Sequence, residues 1–116
     1  LGIMVWQDFS MACAAYPQDE DFAGQLAAEA TFIIQKLRNH PSLILWAGDN
    51  EVDEYYLGLD YLPQHCYNRL TREVLPRQVA AHDPYRMFLP SSPYIDRGVE
   101  RYHVPEQHNW GARAYF

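Results

Sequence analysis

Two short apolar runs, each breaking off into polar residues, flank one stretch of helical period. Ile3-Met4-Val5-Trp6 gives way to Gln7-Asp8, and Leu43-Ile44-Leu45-Trp46-Ala47 gives way to Gly48-Asp49-Asn50-Glu51. Between them Phe22, Leu26, Ala30, Ile33, Ile34 and Leu37 recur on one helical face over residues 21–38. The acidic run Asp19-Glu20-Asp21 suits a helix entrance, because carboxylates there meet free N–H groups and the positive end of the dipole. Lys36 and Arg38 suit its exit, and Asn39-His40-Pro41 ends it. Strand, helix, strand with so short a return is a βαβ unit, which demands parallel pairing.

The pattern then continues. Residues 52–57 predict a short helical or irregular segment, with Gly58 and Asp60 as breakers. A second helix is expected from about Pro63 to Ala81, with Cys66, Leu70, Val74 and Leu75 on one face and Pro76 kinking or splitting it. Arg86-Met87-Phe88-Leu89-Pro90 predicts a third strand, and the remainder is mostly loop with one weak strand near Tyr102-His103-Val104. The expected class is α/β with βαβαβ order and a long C-terminal loop region. Such a sheet has bare edges and one uncovered face, as a slice of a larger α/β barrel should. The length of 116 residues falls well short of the ~250 of an eight-fold barrel. The chain opens at Leu1 inside an apolar run and stops on Ala114-Tyr115-Phe116, which leads us to expect a piece of a longer protein.

Composition narrows the function. A formal charge of −6 without a basic cluster argues against nucleic acid. No apolar stretch approaches the ~20 residues that cross a bilayer, so no membrane partner is expected. Nucleotide and hydrolase motifs of the types G-x-G-x-x-G, G-x-x-x-x-G-K-[ST] and G-x-S-x-G are absent. Cys13 and Cys66 read as buried thiols. His103 and His108 flank Glu106, but at no helix-face ligand spacing, so neither a metal nor another cofactor is expected.

In a parallel sheet, strand exits share one rim. Here that rim takes Gln7-Asp8, Asp49-Asn50-Glu51 and Ser91-Ser92, joined by His108-Asn109-Trp110. Carboxylates, amides and flat aromatic faces together suit a sugar ring, and the nine Tyr and three Trp of the chain fit the same chemistry or a core equally well. Glu51 is the candidate for acid/base chemistry, beside the neutral amide of Asn50.

These residues also carry a resemblance. Residues 1–9, Ala12-Cys13-Ala14 with Tyr16-Pro17, Leu37-Arg38-Asn39-His40-Pro41-Ser42 and Trp46-Ala47-Gly48-Asp49-Asn50-Glu51 resemble the central part of glycoside hydrolase family 2 enzymes, closest to the β-mannosidase branch. Leu89-Pro90-Ser91-Ser92-Pro93 and His108-Asn109-Trp110-Gly111 follow more loosely. The resemblance implies that residues 1–116 are about strands 3 to 6 of a (β/α)8 TIM barrel, and a retaining mechanism with two carboxylates. It makes Glu51 the general acid/base, Asn50 a ligand near the sugar 2-hydroxyl, and Trp6, Asp8 and Trp110 parts of the sugar pocket. Asp49 departs from the family's usual neutral residue, and a second carboxylate there is expected to raise the pKa of Glu51. The nucleophile is expected on a strand outside these residues, so the isolated chain is expected to be inactive and to self-associate through surface that the rest of its barrel would cover. The alternative reading is a catalytically silent carbohydrate-binding or structural fragment.

Overall fold

The computed structural model describes residues 2–58, 67–95 and 108. Three parallel strands, β1 (Val5–Asp8), β2 (Leu43–Ala47) and β3 (Met87–Leu89), form one sheet in the order β1-β2-β3. Trp6 lies opposite Leu45, Asp8 opposite Ala47, and Ala47 opposite Leu89, so the three C-terminal ends come level. Pairing then resumes past the strands through single bridges, Ala12 to Asn50 and Asn50 to Ser92, which draws all three exits together.

Helix α1 (Glu20–Leu37) begins where the acidic run predicts: the Asp19 carboxylate accepts the Phe22 N–H at 2.8 Å. It buries Ala23, Leu26, Ala30 and Ile34. A short helix α2 (Val52–Gly58) follows the β2 exit directly. The second long helix departs from expectation. Tyr67 and Asn68 are not helical, so no unbroken helix runs from Pro63, and that start lies outside the described residues. A π-helical turn at Leu70–Val74 leads into α3 (Leu75–His82). Pro76 explains the wide turn: it has no N–H for the carbonyl four residues back, and its ring crowds that carbonyl. The Leu75 N–H accordingly reaches back five residues to the Leu70 carbonyl. The weak strand near Tyr102 lies outside the described residues.

The core sits between the sheet and α1, α3. Phe9 stacks on Trp46 with ring centroids 5.4 Å apart, among Leu26, Ile34, Leu70, Leu75 and Val79. Trp46 is fully buried, so its indole N–H must find an acceptor. That acceptor is Asp83 at 2.9 Å, whose charge is met by Arg86 at 2.6 Å. On the sheet face away from Trp46, Trp6 and Met87, both paired with Leu45, are exposed; Ile3, Met4, Val5 and Ile44 are exposed as well. Among the described residues no helix is long and apolar enough to cross a membrane.

Candidate active site

Gly48 begins the site by allowing a close approach. Its N–H bonds the Leu89 carbonyl at 2.8 Å, and a Cβ there would stand 2.1 Å from the Pro90 carbonyl oxygen. Only glycine lets the β2 and β3 exits lie this near. Past it the chain is pinned on both sides: Asn50 N–H to the Met11 carbonyl at 2.9 Å, Glu51 N–H to the Ser92 carbonyl at 2.7 Å.

Glu51 sits in the left-handed region with φ 61, and Cys13 across from it has φ 46. Neither residue prefers that conformation, which costs on the order of 1–2 kcal/mol without a glycine. The strain persists because neighbouring hydrogen bonds over-determine the backbone, with the Tyr55 N–H accepted by the Glu51 carbonyl at 2.9 Å and the Cys13 N–H by the Asn50 carbonyl at 2.8 Å. The Glu51 side chain is thereby aimed into the rim. Its Oε1 meets His108 Nδ1 at 2.7 Å and its Oε2 accepts the Cys13 thiol at 3.3 Å. Asn50 donates its amide to Cys13 Sγ at 3.4 Å, and His108 Nε2 meets Ser92 Oγ at 3.1 Å.

Asp8 joins the same rim from β1. Its carboxylate accepts the Trp6 indole N–H at 2.8 Å. Burial raises its pKa, while that hydrogen bond and the nearby His108 ring oppose the shift. Trp6 itself is half-exposed on the sheet face away from Trp46. The structure therefore brings Asn50, Glu51, Asp8 and Trp6 to one end of the sheet with His108 and Ser92. Trp110 lies outside the described residues.

One expectation needs correction. Cys13 is exposed and bonded to Glu51 rather than a buried thiol; the single signal for it was its place a few residues beyond the β1 exit. Cys66 lies outside the described residues. Asp49 is turned away from the rim and fully buried. Its Oδ1 accepts the Val52 N–H at the start of α2 at 3.2 Å and the Ser91 hydroxyl, and its Oδ2 accepts the Asn68 amide at 3.3 Å. Burial pushes the Asp49 carboxyl up to about 7, against the Ser91 bond and aided by Asp53. Asp49 is thus a buried bracket for α2, with its own carboxyl raised.

Behind it, Asp53 forms a two-point ion pair with Arg72 at 2.7 and 2.5 Å, and Arg72 lies over the Tyr94 ring at 5.2 Å. This couples α2 to the π-helical turn and to the loop after β3. Among the described residues no group of three potential ligands is arranged for a metal ion, and the His103 and Glu106 of the suspected trio lie outside them. An open groove of about 490 Å³ lies at the opposite ends of the strands, against Gly2 to Val5, Pro41 and Ser42. None of the residues lining it, Gly2, Ile3, Met4, Val5, Pro41 and Ser42, is titratable.

No family model matches the chain. Individual relatives do. The chain is 39% identical over 101 residues to the Beta-mannosidase of Bos taurus, and 55% identical over 51 residues to that of Capra hircus. These matches cover 80% and 44% of the chain, but only 12% and 6% of the respective relatives. Among solved structures, the Beta-D-Mannosidase from Dictyoglomus thermophilum superposes with a TM-score of 0.84 at 41% identity, over 94% of this chain and 14% of its own. In sequence and in backbone the chain is a β-mannosidase-like segment, and glycoside hydrolase family 2 is the family that this kinship implies.

Proposed function

We propose that the protein carrying this chain is a retaining glycoside hydrolase that cleaves terminal β-linked mannosides, with Glu51 as its general acid/base. The observation that carries this reading is the placement of Glu51: a left-handed residue at a parallel strand exit, its carboxyl directed into a rim of sugar-compatible groups. In the first step Glu51 protonates the leaving glycosidic oxygen while a second carboxylate attacks the anomeric carbon. In the second step Glu51 takes a proton from water as the glycosyl-enzyme is hydrolysed. Asn50 binds near the 2-hydroxyl, Asp8 accepts from a ring hydroxyl, and Trp6 and Trp110 offer flat faces to the sugar.

The second carboxylate is assigned to a strand outside these 116 residues. The exposed Trp6 and Met87, on the sheet face away from Trp46, belong to the surface that the rest of a (β/α)8 barrel would cover, which supports the same reading. Left uncovered, that face would also drive self-association of the isolated chain. The test is steady-state kinetics of the full-length protein on aryl β-mannosides, β-glucosides and β-galactosides, with Glu51→Gln as the control. Preference for the mannoside and a collapse of turnover in Glu51→Gln are expected. Mannoside turnover by the isolated chain that Glu51→Gln abolishes would overturn the division of the carboxylate pair.

A further inference from the structure

The two oxygens of the Glu51 carboxyl are met by different side chains, both distant in sequence. Cys13 comes from the loop after β1, 38 residues earlier, and His108 lies 57 residues later. Each is itself braced. Asn50 donates to the Cys13 sulfur at 3.4 Å while the Cys13 main chain is tied to the Asn50 carbonyl at 2.8 Å, and His108 is backed by the Ser92 hydroxyl at 3.1 Å. The left-handed backbone at Cys13, φ 46, has no local cause in a cysteine, yet it sets the thiol against Oε2.

We propose that Cys13 and His108 are positioning residues for proton transfer, Cys13 fixing Oε2 and His108 fixing Oε1 of Glu51. This rests on the acid/base reading of Glu51. A carboxyl left to rotate presents its proton in many directions, and an acid is efficient only when held within hydrogen-bond reach of the leaving oxygen. A thiol serves as a donor here only while it keeps its proton. The hydrogen bond to Glu51 first, then burial, push the Cys13 thiol upward and keep it as S–H. Among the described residues, Asp8 acts on the His108 side of this cluster and Asp49 on the Cys13 side.

Leaving groups separate this role from a purely structural one. A dinitrophenyl mannoside departs without protonation, whereas a methyl or mannosyl group needs the acid. In the full-length protein, Cys13→Ala and His108→Ala should lower kcat/KM on the poor leaving group by roughly tenfold to a hundredfold. For the dinitrophenyl mannoside kcat/KM, which reports the first step alone, should be little changed, whereas its kcat, limited by the base-assisted hydrolysis step, should fall together with KM. Losing the thiol donor to the carboxylate should also move the basic limb of the pH profile upward. His108→Ala should move the same limb, upward if the ring donates to Glu51 and downward if it accepts. Cys13→Ser and His108→Asn, which keep a donor at each place, should restore both rate and limb. They also stand in should an alanine variant fail to fold. Equal losses of kcat/KM on both leaving groups, or a limb that does not move, overturn the proposal. If Glu51→Gln itself fails to discriminate between leaving groups, the acid/base reading falls instead, and the two failures are thereby told apart.

Discussion

Asp49 and Glu51 stand two residues apart at the same strand exit, carry the same functional group, and are put to opposite uses. Asp49 is fully buried and spends its oxygens on Ser91, Asn68 and the first N–H of α2. Glu51 is partly exposed, holds a left-handed backbone, and offers its oxygens to two side chains on the rim. Strand geometry explains the split, since residues i and i+2 share a face only while the strand stays extended. The positive φ at Glu51 breaks that alternation and sends the second carboxylate elsewhere. One carboxylate therefore holds the frame, and the other faces the rim where the proposed chemistry lies.

The largest expected effect separates the two by activity. Glu51→Gln should lower kcat on a methyl or mannosyl leaving group by about 10²–10⁴-fold while leaving the urea midpoint near wild type. Turnover within a few-fold of wild type would end the assignment. The reverse pattern is expected of the frame. Asp49→Ala removes a buried acceptor from the Val52 N–H, the Ser91 hydroxyl and the Asn68 amide, and should cost about 3–5 kcal/mol in equilibrium unfolding. A cost below about 1 kcal/mol would deny Asp49 its bracing role.

A pH series sharpens the contrast further. The folded Asp49 carboxyl keeps its proton up to about 7, whereas the unfolded one loses it near 3.8. Between those values the folded state binds the extra proton, so this group's contribution is full below pH 3.8, declines as pH rises, and levels off above about 7. Asp49→Asn should flatten that slope, matching wild type near pH 4 and exceeding it at pH 8 by up to about 4 kcal/mol. The buried Asn68 Oδ1, which has no partner among the described residues, becomes an acceptor for the new amide if the Asn68 side chain turns over. Equal slopes in the two proteins would contradict the raised carboxyl.

The smallest effect concerns the backbone. Glu51→Gly and Glu51→Ala lose the same side-chain bonds, but only glycine is at ease at φ 61. The glycine variant should be the more stable of the two by about 1 kcal/mol. A tie or a reversal would remove strain from the account of this site.

Much of the frame was legible from residue order. Alternating apolar runs and one helical face specify β1, α1, β2 and β3 to within a few residues, and Asp19 caps α1 as its position predicts. The exceptions have local causes that pattern alone underdetermines. Pro76 announced a break but not that the turn before it would widen, since a proline can equally end a helix or shift the preceding bond to a five-residue reach. Ile3 and Met4 read as strand from their apolarity, yet β1 begins at Val5 because β2 offers no partner before Leu43.

By itself the sequence determined the α/β class, the parallel order and the kinship with β-mannosidases, and it singled out Glu51 with Asn50 as the candidate centre of the site. Those are properties of period and of contiguous motifs, which local chemistry carries. Only the tertiary structure decided that Asp49 turns inward and that Cys13 and His108 close on Glu51. The physical reason is distance along the chain. Ser91 lies 42 residues from Asp49, and Cys13 and His108 lie 38 and 57 from Glu51, so no local pattern can encode contacts that exist only once three strand ends are drawn level.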